Sequence, residues 1–97
     1  MAKLSPEEIS TRLKVVDGWH YGENAISKLY RFKKFMAGIR FVNQVAEMAE
    51  TADHHPDIFI NYTRVTFTCS THDAGGVTEK DFALAGEIER AFKALSA

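Results

Sequence analysis

The sequence predicts an α+β fold in a single domain spanning residues 1–97, with the order helix–strand–strand–helix–strand–strand–helix. Three observations lead there. Three segments carry apolar residues at helical spacing. Between them lie two pairs of short alternating runs, each joined by a tight connection. At 97 residues the chain suits one core. The expected architecture is a four-stranded antiparallel sheet with its helices on one face.

Ser5-Pro6-Glu7-Glu8 opens the first helix. Ser5 caps it, Pro6 suits the first helical position, and Glu8 completes a capping box. Leu4 and Ile9 have the spacing of a hydrophobic staple, and Ile9, Leu13 and Val16 form the buried stripe. Asp17-Gly18 ends the helix, with glycine free to turn left-handed. Residues 19–22 form a short strand and Glu23-Asn24-Ala25 a turn. Residues 26–33 then alternate, with Ile26, Lys28, Tyr30 and Phe32 on one face. A hairpin follows from this pattern.

Residues 35–52 form the longest helical pattern. One apolar stripe is Phe35, Ile39, Val42, Ala46 and Ala49; a second is Phe41, Val45, Met48 and Ala52. Together they exceed the usual apolar arc of a surface helix. The expectation is that one stripe faces the sheet and the second meets another subunit, the alternative being cover by the first helix. Lys33-Lys34 stands where a capping residue would be expected. Residues 57–62 and 65–70 form a second hairpin across Thr63-Arg64, with Ile58, Ile60 and Tyr62 sharing one face. Residues 74–77 are a loop. Thr78 caps the last helix, Asp81 occupies its third position, and Ala85, Ile88, Phe92 and Leu95 form its buried stripe.

Composition excludes several function classes. The apolar fraction of 45% and charged fraction of 26% are those of an ordinary globular protein. A net charge of −1 offers no footprint for nucleic acid or an anionic membrane. The single Cys69 excludes an internal disulfide and fits a reducing compartment. The first five residues lack the apolar core of a signal peptide, and no apolar run reaches membrane length. A cytoplasmic location is the expectation.

The chemistry concentrates in Glu50-Thr51-Ala52-Asp53-His54-His55-Pro56-Asp57, which holds two of the four histidines. Pro56 pushes His55 out of the helical region, so this stretch is an extended loop after the long helix. His72 lies just past the last strand. Imidazoles titrating near ~6.5 with carboxylates to orient them are suited to moving protons. A polar loop is the plain alternative, and it is the reading for His20. A zinc site needs ligand spacings that are absent: there is no His-x-His, no His-x-x-x-His and no cysteine pair. Cys69 falls on the apolar face of its strand, where a thiol is inert. Neither Gly-x-Ser-x-Gly nor a phosphate loop occurs. Acid–base chemistry without metal or cofactor remains.

Glu50, then His54-His55-Pro56, Tyr62, His72 and Asp81 at their particular spacing resemble the signature of the pterin-4a-carbinolamine dehydratases. Asn61-Tyr62, Ser70-Thr71-His72 and Gly18-Trp19 agree, and the resemblance covers nearly the whole chain. It implies dehydration of a 4a-hydroxytetrahydropterin to a quinonoid dihydropterin, recycling the pterin of aromatic amino acid hydroxylases. It also implies catalysis by His54, His55 and His72, in which acid and base are not assigned. Glu50 and Asp53 would orient the imidazoles, and Ser70, Thr71 and Asp73 would line the pterin pocket. An acid in the first turn of a helix already has a mechanical reason to be there, and Asp81 is read as a cap. Lys34 departs from the acidic cap expected at the second helix.

The resemblance further implies a homo-oligomer, a dimer or a tetramer built as a dimer of dimers. Animal members of this family also stabilise dimers of a homeodomain transcription factor. An interaction or transcription-coactivator module working through the long apolar helix is therefore an alternative from a different class. A pterin role in molybdopterin metabolism is a third.

Overall fold

The computed structural model describes residues 2–96; Met1 and Ala97, the ends of the expected domain, lie outside the described residues. The elements are α1 (Pro6–Leu13), β1 (His20–Gly22), β2 (Ala25–Arg31), α2 (Phe35–Ala52), β3 (Asp57–Asn61), β4 (Arg64–Cys69) and α3 (Glu79–Ser96), with a 3-10 turn at His72–Ala74 before α3. The sheet is antiparallel, in the order β1-β2-β4-β3. The two hairpins therefore meet through β2 and β4, which become the central strands.

Both hairpin loops contain two residues. Gly22 pairs with Ala25, leaving Glu23 and Asn24, both at positive φ. This backbone suits the twist of an antiparallel hairpin. Asn61 pairs with Arg64, so the second loop is Tyr62-Thr63 rather than Thr63-Arg64. Tyr62 leaves the strand for a left-handed conformation at φ 55°. Its ring stacks on Phe35 at 6.4 Å instead of continuing the face of Ile58 and Ile60.

The register sorts the side chains. Ile26 and Tyr30 of β2 and Val65, Phe67 and Cys69 of β4 are buried on the helix-covered face. Ile9, Val16, Trp19, Phe41, Val45, Ala85 and Ile88 join the core, whereas Leu95, expected on the buried stripe of α3, is exposed. The capping box of α1 forms, with Ser5 Oγ and Glu8 exchanging bonds with each other's backbone N–H. This helix stops at Leu13, about a turn earlier than Asp17-Gly18. Val16 is nevertheless buried, and Gly18 takes φ 81° beside the Lys28 side chain, where a Cβ would collide.

The expectation for α2 is corrected. Phe41 and Val45, placed on the stripe meant for another subunit, are fully buried together with Gly38 and Ala49. The cover comes from α3 rather than α1. Phe41 meets Tyr30 and Phe67 of the sheet, and also Phe92 of α3, at 5.8–5.9 Å. A helix that packs on a sheet and also on a neighbouring helix needs a wide apolar arc. The exposed large apolar groups of α2 instead gather at its first turn, in Phe35 and Met36.

Lys28 points to the inner face, as its parity requires, and α3 answers it. Its Nζ donates to Glu89 Oε1 and to the Asp17 carbonyl, both at 2.8 Å. The buried Tyr30 hydroxyl donates to the same Glu89 oxygen. Burial alone pushes the Glu89 carboxyl up, but the hydrogen bonds from Lys28 and Tyr30 and the charges of Lys28 and Lys93 outweigh it. The net direction is down. Burial, then the bond to Glu89, pushes the Tyr30 phenol well above its usual range.

Candidate active site

The site forms where the C-terminus of α2 meets the end of β4 and the start of α3. Asp53 ends α2 in a left-handed conformation at φ 51°, its N–H bonding back to the carbonyls of Ala49 and Glu50. That reversal, followed by the irregular His54-His55-Pro56 segment, sends the two imidazoles to different partners. Past β4, Thr71 pairs with Gly76 around the 3-10 turn, which carries His72 and Asp73 at its exposed tip.

Asp53, His54, His55, Ser70, Thr71, His72 and Asp73 line one open cleft of about 310 Å³, together with Lys80. Glu50 stands just outside and reaches His55 Nε2 with its carboxylate. The residues singled out from sequence are thus brought together from both hairpin ends. Three larger hollows, of about 530 and 700 Å³ beside α2 and about 360 Å³ at the β3–β4 turn, have no histidine in their lining. His20 lies on edge strand β1, and Tyr62 lies at the β3–β4 turn; neither lines the cleft.

The two adjacent histidines differ in setting. His55 and Glu50 are both exposed. The His54 side chain is only 12% exposed, and its Nε2 lies 2.6 Å from Oδ1 of a fully buried carboxylate, Asp81. Asp81 Oδ2 accepts from the Thr71 hydroxyl at 2.8 Å and from the Thr78 N–H at 2.9 Å. Asp81 therefore caps α3 with one oxygen, as read from the sequence, and meets His54 with the other. It stands where Asp53 was expected, because Asp53 forms the chain reversal. A buried carboxylate is tolerated when its lone pairs are filled in this way.

Other predicted lining groups have structural duties as well. The Ser70 hydroxyl donates to the Asn24 carbonyl, tying the β1–β2 turn to the cleft. Thr71 Oγ1 lies 2.8 Å from Thr78 Oγ1, which also accepts from the Lys80 N–H. Cys69 is buried beneath the site, and burial, followed by the charges of Asp81 and Asp57, pushes its thiol up to about 12. It is no nucleophile at neutral pH. Among the described residues, no three His, Cys, Asp or Glu side chains are grouped as a metal-ligand set. Lys80 was missed from sequence: a lysine in the first turn of a helix looks like solvent-facing charge until the fold places it.

Residues 2–91 match the family model for pterin 4 alpha carbinolamine dehydratase. The chain belongs to this family. A Gloeobacter violaceus relative named as a pterin-4-alpha-carbinolamine dehydratase is 52% identical over 92 residues, covering 91% of this chain and all of the relative. A Sulfolobus acidocaldarius relative named likewise is 44% identical, covering 91% and 97%. Their names denote a hydro-lyase. The crystal structure of a transcriptional coactivator/pterin dehydratase from Brucella melitensis superposes with a TM-score of 0.87 at 37% identity, covering 91% of this chain and 96% of that one. The dehydratase fold thus extends over nearly the whole described chain. Among the described residues, no helix is long and apolar enough to cross a membrane.

Proposed function

We propose that this chain removes water from a 4a-hydroxytetrahydropterin, giving quinonoid dihydropterin, and so recycles the pterin of an aromatic amino acid hydroxylase. His54, His55 and His72 supply the acid–base catalysis. One observation carries the reading: three histidines from two segments distant in sequence gather at a single cleft, and two of them are held by carboxylates. Elimination needs a proton delivered to the leaving hydroxyl and another taken from the adjacent ring nitrogen. Positioned imidazoles serve both ends near neutral pH. Asp53, Asp73, Ser70 and Thr71 border the cleft where the polar edge of a pterin would sit, and Glu50 orients His55. The chemistry uses the protein's own side chains, with no metal or cofactor, in a cytoplasmic setting that suits the free Cys69.

Stopped-flow dehydration of enzymatically generated carbinolamine, in buffer containing a chelator, tests this reading. The expected result is dehydration well above the uncatalysed rate. Equal rates with and without the protein would overturn it.

A homo-oligomer, specifically a tetramer formed as a dimer of dimers, is part of the proposal. Its support moves from the Phe41/Val45 stripe to edge strand β3. Every residue of β3 is exposed, with Phe59 at 64%. Phe59 is exposed on the helix-free face and Ile58 and Ile60 on the other, and the stacked Tyr62–Phe35 pair and Met36 are exposed as well. An edge strand with three exposed large apolar side chains invites pairing with another chain.

A further inference from the structure

The hydrogen bonds behind His54 form a chain whose proton positions can be worked out from one end. The Lys80 backbone N–H is an obligate donor, and it donates to Thr78 Oγ1. Thr71 Oγ1 donates to Asp81 Oδ2, so in the 2.8 Å contact between the two hydroxyls Thr78 is the donor and Thr71 the acceptor. The Thr78 N–H, a second obligate donor, ends on the same Asp81 oxygen. Oδ2 is thereby filled. Oδ1 faces only the His54 ring, 2.6 Å away, and a carboxylate can do nothing there but accept. Nε2 of His54 must carry a proton. The nitrogen left for the cleft is Nδ1.

The geometry points to Asp81 as a positioning residue that fixes His54 in the Nε2–H tautomer and makes Nδ1 its working atom. This rests on the dehydratase reading above. In the elimination, the ring N–H bond breaks and its electron pair forms the new C=N bond. The C–O bond breaks, and the hydroxyl takes up a proton to leave as water. Whichever of these two protons His54 handles passes through Nδ1. The cationic ring formed or consumed on the way keeps its second N–H on Asp81. The exposed His55, held by the equally exposed carboxylate of Glu50, has no buried support of this kind.

Asp81→Asn gives a sharp test because an amide cannot reproduce both halves of the site. The Thr78 N–H is an obligate donor and requires an acceptor, whereas the Thr71 hydroxyl can turn, so the amide oxygen belongs on the Thr78 side. The amide NH2 then faces His54 Nε2 and forces that nitrogen to accept. The ring is left as the Nδ1–H tautomer, unable to accept at Nδ1, and its cationic form would meet an N–H donor.

Imidazole nitrogen NMR on histidine-labelled protein, above the usual imidazole range of ~6.5, reads the tautomer without substrate. The expected result is Nε2–H at His54 in the wild type and Nδ1–H in Asp81→Asn. Turnover of carbinolamine should fall by ~100- to 10,000-fold in Asp81→Asn, the range for a positioned acid–base group. In a His54→Ala background the same substitution should cost almost nothing more, because Asp81 acts through His54. A wild-type His54 in the Nδ1–H form would overturn the proposal, as would Asp81→Asn retaining Nε2–H. So would an undiminished loss in the His54→Ala background, which would show a structural role alone. If Asp81→Asn fails to fold, the wild-type spectrum still decides the tautomer. If the wild type dehydrates nothing, the functional reading fails separately while the spectra continue to test the positioning.

Discussion

Replacing Glu89 by alanine should be among the most destabilising single changes available outside the apolar core. The carboxylate holds two groups that the sheet presents to the helices. Lys28 is 18% exposed at its side chain and donates to Glu89, and Tyr30, essentially buried, donates its hydroxyl to the same oxygen. Breaking a buried pair from one side costs about 3–5 kcal/mol. A stranded buried hydroxyl costs about 1–3 kcal/mol. The two terms share one acceptor and do not add. Lys28 also keeps the Asp17 carbonyl and some access to water, which places the total near the low end, about 3 kcal/mol. For a domain of this size that lowers Tm by roughly 12–24 °C, at about 4–8 °C per kcal/mol. Glu89→Gln keeps an acceptor for both donors and loses only the charge, so it should cost about 1–2 kcal/mol.

Urea unfolding of the wild type and both variants measures these differences. The pH dependence supplies an independent check. The Glu89 carboxyl is lower in the folded chain than its ordinary value of 4.5. A lowered carboxylate contributes stability that is fully present above 4.5 and is lost as pH falls through the folded value. The gap between wild type and Glu89→Gln should therefore be constant near neutrality and shrink below 4.5. Variants that both unfold within about 0.5 kcal/mol of wild type, the range of an ordinary surface change, would refute the idea that this network is energetically coupled.

Other perturbations separate site from scaffold. His55→Ala and His72→Ala should each slow carbinolamine turnover by a large part of ~100- to 10,000-fold. The double substitution should cost much less than the product of the two, and His20→Ala almost nothing; near wild-type turnover in both single variants would show that the relay is misplaced. Phe59→Glu should dissociate the assembly while leaving circular dichroism unchanged, and wild-type protein that scatters light as a monomer would end the oligomer proposal. Val45→Glu should unfold the chain instead, because it buries an unpaired charge in the core.

The sequence by itself determined what depends on neighbours along the chain. The Ser5–Glu8 capping box, the parity that turns Lys28 and Tyr30 inward, the two hairpins and the non-helical His55-Pro56 junction all follow from local sterics and periodicity. The family resemblance named all the residues that line the cleft except Lys80, because a chain that folds one way must bring the same positions together each time. Tertiary structure decided which group answers which. Periodicity counts the apolar residues of α2 but cannot say that α3 covers Phe41, because that depends on a helix fifty residues away. The loop at Tyr62 shifted by one residue: its left-handed backbone closes the turn and its ring stacks on Phe35 of α2, a partner no local pattern indicates. Asp81 looked complete as a cap, since one oxygen suffices for that task. Its second oxygen acquires His54 only when α3 docks beside the end of α2, and a partner twenty-seven residues distant in sequence leaves no mark on any local pattern.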